Sequence, residues 1–197
     1  MIPDLTAGDL STLLAEGRRL AGEASHAFGR LSPEQVNWKP SAGEWSIGQC
    51  FDHLLLSNQG FFPIIEEVLS GRRRPRAWER MPLLPGFFGR LLIATLRPGS
   101  GRKARARPAF HPSSSQIAPG IVARFLEQQG RLLALMESTS GLDLDGITIT
   151  SPVSRVITYS LMDAYRIVVV HEENHLLQAT RVMEWPGFPS HELPPAA

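Results

Sequence analysis

The chain has 197 residues, 43% hydrophobic and 20% charged, with a formal net charge of +1 and one cysteine. That is the make-up of a soluble globular protein with enough chain for a single domain around one core. Lone Cys50 excludes an intramolecular disulfide framework or a cysteine zinc motif. No stretch reaches the roughly 18 to 20 apolar residues of a membrane span, and Met1-Ile2-Pro3-Asp4-Leu5 has no basic and apolar leader pattern, so a cytoplasmic setting is expected.

From Thr6 to Phe28, apolar residues at Leu10, Leu13, Leu14, Leu20, Ala21, Ala24 and Phe28 predict a helix, with Thr6 and Asp9 as a capping box. Ser32 followed by Pro33 predicts a short helical turn ahead of a loop around Pro40 to Glu44. Ser46 then caps a long helix reaching about Leu69, in which Pro63 cannot donate to Gln59 and is expected to bend the rod. Residues 72 to 115 break the pattern with repeated prolines and form an irregular basic insertion. Between Arg72 and Arg107 it holds ten arginines and one lysine against the single acid Glu79. Pro119 is expected to open the next amphipathic helix, carrying Ile121, Val122, Phe125, Leu126, Leu132, Leu133, Leu135 and Met136 and ending near Ser138 to Gly141. Ile147 to Thr150 has extended character. Ser160 and Asp163 form a second capping box for a last helix from Leu161 to about Glu184, before a proline-rich, loose tail over 186 to 197. Four long amphipathic helices with little strand potential predict an all-α four-helix bundle with the arginine-rich excursion between its second and third helices.

His171 and His175 lie four residues apart in the last helix, so both imidazoles leave one face a turn apart. Such pairs also occur as capping or solvated groups. His53, however, interrupts an apolar helical pattern and therefore points inward, where a polar ring needs a partner. Three imidazoles on two facing helices, with a fourth position open, suit zinc, nickel or iron. Read by itself, His171-Glu172-Glu173-Asn174-His175 also satisfies the H-E-x-x-H pattern of metalloproteases, in which the glutamate activates water. The longer metzincin pattern fails at Gln178 and Arg181, and little chain remains to build a substrate cleft.

The segment from Asn37 to Leu54 resembles the W-x-P-x-x-x-E-W-S-I-x-Q-x-x-x-H-L signature of the DinB/YfiT-like superfamily, especially its DinB_2 branch, carried here by Trp38, Pro40, Glu44, Trp45, Ser46, Ile47, Gln49, His53 and Leu54. His171-x-x-x-His175-x-x-Gln178 is similar to the other half of that signature. The resemblance implies a DinB-type bundle, often dimeric, whose divalent metal is held by His53, His171 and His175. It also implies a metal-dependent hydrolase or a thiol S-transferase that takes a low-molecular-weight thiol, acting on a small-molecule substrate. The rival class is a non-catalytic, stress-associated bundle of the same fold.

With three neutral ligands a cation keeps its full charge and activates a water or a thiol, a step that hydrolysis and thiol transfer share. Gln178, one turn past His175, is a candidate to orient the bound group or an imidazole, and Glu172 is a candidate base. Asp52 is expected to face solvent, as is at least one of Glu172 and Glu173. Trp38 and Trp45 are expected to pack beside the start of the second long helix, and Cys50 reads as core. The basic insertion has three readings: an exposed loop, a lid for an acidic substrate or thiol, or a weak contact with anionic membrane through Arg72 to Arg107. It lacks a recognised nucleic-acid reader, so no specific nucleic-acid partner is expected.

Overall fold

In the computed structural model, which describes residues 7–75, 79, 93, 95, 112–154 and 157–189, helix α1 spans Leu10–Phe28. Its cap is Asp9, whose side chain accepts from the Thr12 backbone N–H at 2.8 Å. Asp9 therefore stands at the cap position itself and not one turn inside a box opened by Thr6, a residue outside those described. The short α2 (Pro33–Asn37) starts as expected, with Ser32 and Gln35 capping each other's backbone N–H groups.

The predicted long second helix is interrupted. It ends at Gln59 (α3, Ile47–Gln59) and restarts as α4 (Phe62–Leu69). Pro63 has no N–H to return to Gln59 and its ring crowds that carbonyl, so the chain breaks where a bend was expected. Gly60 sits in the break against Pro152, and a Cβ there would lie 2.6 Å from the proline Cβ.

Helix α5 (Ile121–Ser138) is entered through Gly120 in the left-handed region at φ 82°, so Pro119 precedes the cap and does not open the helix. The extended segment has a partner that the sequence did not announce. Strand β1 (Thr148–Thr150) pairs antiparallel with β2 (Thr158–Ser160), in the register Thr148 to Ser160, Ile149 to Tyr159 and Thr150 to Thr158. Ser160 leads directly into α6 (Leu161–Met183) and accepts from the Asp163 N–H at 3.0 Å. The Asp163 carboxylate turns to Arg166 Nη1 at 2.9 Å, so the expected box is a one-sided cap.

Helices α1 and α3 each pack against both α5 and α6, which places α1 diagonally across the bundle from α3. At the centre the Phe51 ring meets Phe28 at 5.3 Å and Phe125 at 5.2 Å, both edge-on, and so joins α1, α3 and α5. Tyr165 fixes the start of α6 to the end of α5 through Thr139 Oγ1 at 3.1 Å, and burial pushes its hydroxyl up to about 12. Beyond α6, Phe188 packs on Trp38 and Gln35 donates to the Pro189 carbonyl at 3.0 Å, so the tail is held as far as it is described.

The basic insertion falls mostly outside the described residues. Within them, Arg72 and Arg74 are exposed while Arg73 pairs with buried Glu79 at 2.8 Å, and Glu79 also accepts from Thr150 Oγ1 at 2.7 Å. No described helix is long and apolar enough to cross a membrane.

Phe51→Ala should cost about 3–5 kcal/mol in urea unfolding, because it empties the contact shared by three helices. A loss under about 1 kcal/mol would show that the core closes without this ring.

Candidate metal centre

The Ser46–Gln49 box fixes where α3 begins: the Ser46 side chain accepts from the Gln49 N–H, and Gln49 Oε1 accepts from the Ser46 N–H, each at 3.2 Å. From that start Ile47, Cys50, Phe51 and Leu54 turn into the core, and His53 falls two turns in on a helix buried around almost its whole circumference. Helix α6 is likewise buried on most sides, since α1, α3 and β2 all pack on it. His53 and Asn58 on α3 and Glu172 and His175 on α6 are therefore buried, while His171 is half-buried.

His53 on α3 faces His171 on α6 with their Nε2 atoms 3.1 Å apart. The His175 ring centroid lies 4.6 Å from each of theirs, and the potential ligand atoms of all three fall within 4.8 Å of one another. Trp45 covers this cluster, stacked on His175 at 5.8 Å with an interplanar angle of 16° and tilted against His53 at 5.1 Å. Burial first, then the His175 and His53 rings, holds His171 well below the ordinary histidine value. Burial and His53 likewise lower His175 to about 3, while Gln178 works in the opposite sense. Near neutral pH these two rings therefore favour the uncharged form, the one in which an imidazole nitrogen coordinates a cation.

The cluster fits a divalent cation. Two nitrogens on one tetrahedral ion stand roughly 3.3 Å apart, close to the spacing between His53 and His171. His175 Nδ1 is sealed from solvent without a hydrogen-bond partner, which buried polar atoms seldom tolerate. Among the described residues no cysteine or carboxylate joins the three histidines. Cys50 is buried in the core, its thiol pushed up to about 12 by desolvation.

Glu172, the residue after His171, is completely buried in a separate network. Asn58 Nδ2 donates to Oε1 and Gln129 Nε2 to Oε2, each at 2.7 Å, which ties α6 to α3 and α5. Burial raises its carboxyl to about 8 against the lowering effect of those two amides. Glu173 is also buried, at 5% exposure, so neither glutamate faces solvent as expected of at least one. Burial, then Glu16, raises its carboxyl, and Arg19 opposes them. Asp52 corrects another expectation: it is buried and accepts from the Ser113 N–H at 2.6 Å, because the chain returning from the basic insertion lies across this part of α3. Gln49 Nε2 holds the next residue through the Ser114 carbonyl at 3.1 Å, and Asn37 holds Ile117 by its N–H at 2.6 Å and its carbonyl at 3.0 Å. Gln178 approaches His175 without closing a hydrogen bond on Nδ1. Sequence reasoning missed Asn58 and Gln129, whose signal was an amide placed in each case on a helix face otherwise filled by apolar side chains.

A helical bundle with three converging imidazoles on two helices defines a candidate metalloprotein. The DinB superfamily model matches residues 17–179, and the chain belongs to that superfamily. Its fold is similar to that of YfiT from Bacillus subtilis, a probable metal-dependent hydrolase with an unusual four-helix bundle topology. The TM-score is 0.55 and the identity 16%, over 89% of this chain and 86% of that one. No curated protein matches the chain.

Two outcomes follow from this geometry. Between the ordinary carboxyl value of 4.5 and the folded value of about 8, the folded chain keeps on Glu172 a proton that the unfolded chain has lost. The stability from this group is full below the lower value and is lost as pH rises towards the upper one. In metal-free protein, Glu172→Gln should gain on wild type by on the order of 1 kcal/mol per pH unit across that window. Urea midpoints of constant separation across it would show Glu172 already ionised in the fold. Because Trp45 lies on two of the rings, cobalt or nickel should quench tryptophan emission, with most of the quench lost in Trp45→Phe. An undiminished quench in that variant would place the ion elsewhere.

Proposed function

We propose that this chain is a metal-dependent enzyme, a hydrolase or thiol S-transferase, in which His53, His171 and His175 hold a divalent cation and leave a coordination position for the reacting group. The observation that carries the reading is the convergence of three histidines, and of no fourth histidine, cysteine or carboxylate among the described residues. Structural sites are ordinarily closed by four protein ligands, whereas three ligands leave room for chemistry. Zinc, nickel and iron all suit nitrogen donors of this kind.

The protein supplies orientation and exclusion of water. Trp45 restricts the His53 and His175 rings, and burial keeps His171 and His175 neutral. Bound there, a divalent cation supplies the positive charge that favours the deprotonated form of a water or thiol near neutral pH. Gln178, beside His175, is the residue we assign to orienting that ring or the reacting group. We do not assign proton transfer to Glu172, since both its oxygens are engaged by amides within the bundle. The same reading takes the protein to be a cytoplasmic homodimer acting on a small molecule, and sedimentation velocity checks the dimer.

Metal analysis of the purified protein beside His53→Ala, His171→Ala and His175→Ala tests the centre. Each variant should lose most of the bound ion, equivalent to a fall in affinity of at least about a hundredfold, with little change in helix content. Full metal content in all three would remove the site. Retention in His53→Ala with loss in the other two would favour the H-E-x-x-H reading. Turnover of an ester or amide panel without added thiol marks a hydrolase. Turnover that requires a small thiol marks a transferase.

A further inference from the structure

The histidines occupy one face of α6, and Glu173, two residues from each, projects from roughly the opposite face. It lines a groove of about 770 Å³ between α1 and α6. Glu173 is 5% exposed as a residue, and among the described residues no hydrogen bond or ion pair reaches its carboxylate. Its oxygens are not sealed from solvent, so the carboxylate end opens on the groove while the rest of the residue is packed.

The opposite wall brings Arg19 near enough to favour the Glu173 charge but closes no ion pair with it. On α1, Glu16 and Glu23 both hold Arg19, with Arg19 Nε donating to Glu16 at 2.9 Å, so the single guanidinium in the groove is committed to them. Three carboxylates against Arg19 and His26 leave an excess of negative charge even with His26 protonated. Beside His26 and Thr180, the rest of the lining is apolar, supplied chiefly by Leu20, Phe28, Leu176 and Leu177. Gly22 also opens onto the groove, and a Cβ added there would meet nothing within 4 Å. A glycine inside a helix costs about 1 kcal/mol relative to alanine, and at Gly22 no packing contact requires it. Gly17 differs, since its Cβ would lie 2.6 Å from Leu133.

We propose that this groove is a second binding site, separate from the histidine cluster, which takes an organic cation: an alkylammonium whose charged head pairs with Glu173 and whose carbon chain lies on Leu20, Phe28 and Leu176. An anion is disfavoured by the charge of the walls. A chelated metal ion is disfavoured because the only converging ligand set among the described residues is the three histidines. The volume lies within the roughly 300–1,000 Å³ usual for small-molecule sites.

Calorimetric titration of the full chain with hexylammonium chloride, beside hexanol as its uncharged twin, tests this. Hexylammonium should bind saturably at one site, and hexanol at least ten times more weakly. Glu173→Gln should weaken hexylammonium at least tenfold with helix content and metal content unchanged, which separates the groove from the histidine site. The exposed Glu23→Gln, which carries little risk to folding, should weaken it two- to threefold and decides the matter if Glu173→Gln does not fold. Absence of saturable binding, equal binding of hexanol, or unchanged affinity in the variant that folds would each overturn the proposal. So would a Glu173→Gln chain that dissociates from dimer to monomer without any amine binding to wild type, since a second copy would then cover the groove.

Discussion

The packing of α3 against α6 is the constraint from which the rest of the interior follows. These are the two helices buried on nearly every side, and both carry polar residues that a surface helix would leave in water. Once they are in contact, His53 must meet His171 and His175, and Asn58 must meet Glu172. A small rotation of α6 about its axis would separate the imidazoles and also strand a fully buried carboxyl between two amides. The two polar contacts reinforce one another, since unpaired polar groups in this interior would each carry a desolvation cost. Their cost, with the Tyr165 hydrogen bond to Thr139, explains how a bundle held largely by non-directional apolar contacts keeps one orientation of α6.

The signature around Trp45 to His53 has a physical reading that does not depend on family membership. Ser46 and Gln49 start the helix at a fixed residue, which sets the direction in which His53 points. Ile47 anchors that first turn in the core, and Trp45, just ahead of the cap, folds back over the imidazoles. Gln49 has a second task, since its amide nitrogen holds Ser114 while neighbouring Asp52 holds Ser113. The return of the long basic insertion is thereby fastened to the helix that carries His53. At its departure the chain is held by Arg73 and Glu79 against the hairpin. Both ends of the insertion are thus tied to the folded body through residues described in the structure.

Helix α6 presents two chemically different faces to two neighbours. Towards α3 it offers uncharged imidazoles suited to a cation of borderline hardness. Towards α1 it offers a carboxylate in a groove with a largely apolar lining, the arrangement on which the organic-cation proposal rests. Helical periodicity makes this possible, because residues two apart in sequence point in nearly opposite directions.

The amino-acid sequence by itself determined the helices, most of their ends and the candidate histidines, because the period of apolar residues and the capping chemistry are local properties of neighbouring side chains. It also carried the family signature, since those residues act within a turn or two of one another. Apart from His53, which the apolar pattern around it already turned inward, only the tertiary structure decided which polar residues are interior. Asp52 and Glu172 read as residues of solvated or catalytic character, yet one is held by Ser113 and the other by Asn58 and Gln129, partners 61, 114 and 43 positions away. The break at Gly60, the strand paired with β1 and the diagonal placement of α1 and α3 likewise depend on contacts between distant segments. No local pattern encodes a partner that far along the chain, and burial, which sets the state of His171, His175 and Glu172, exists only once the helices have met.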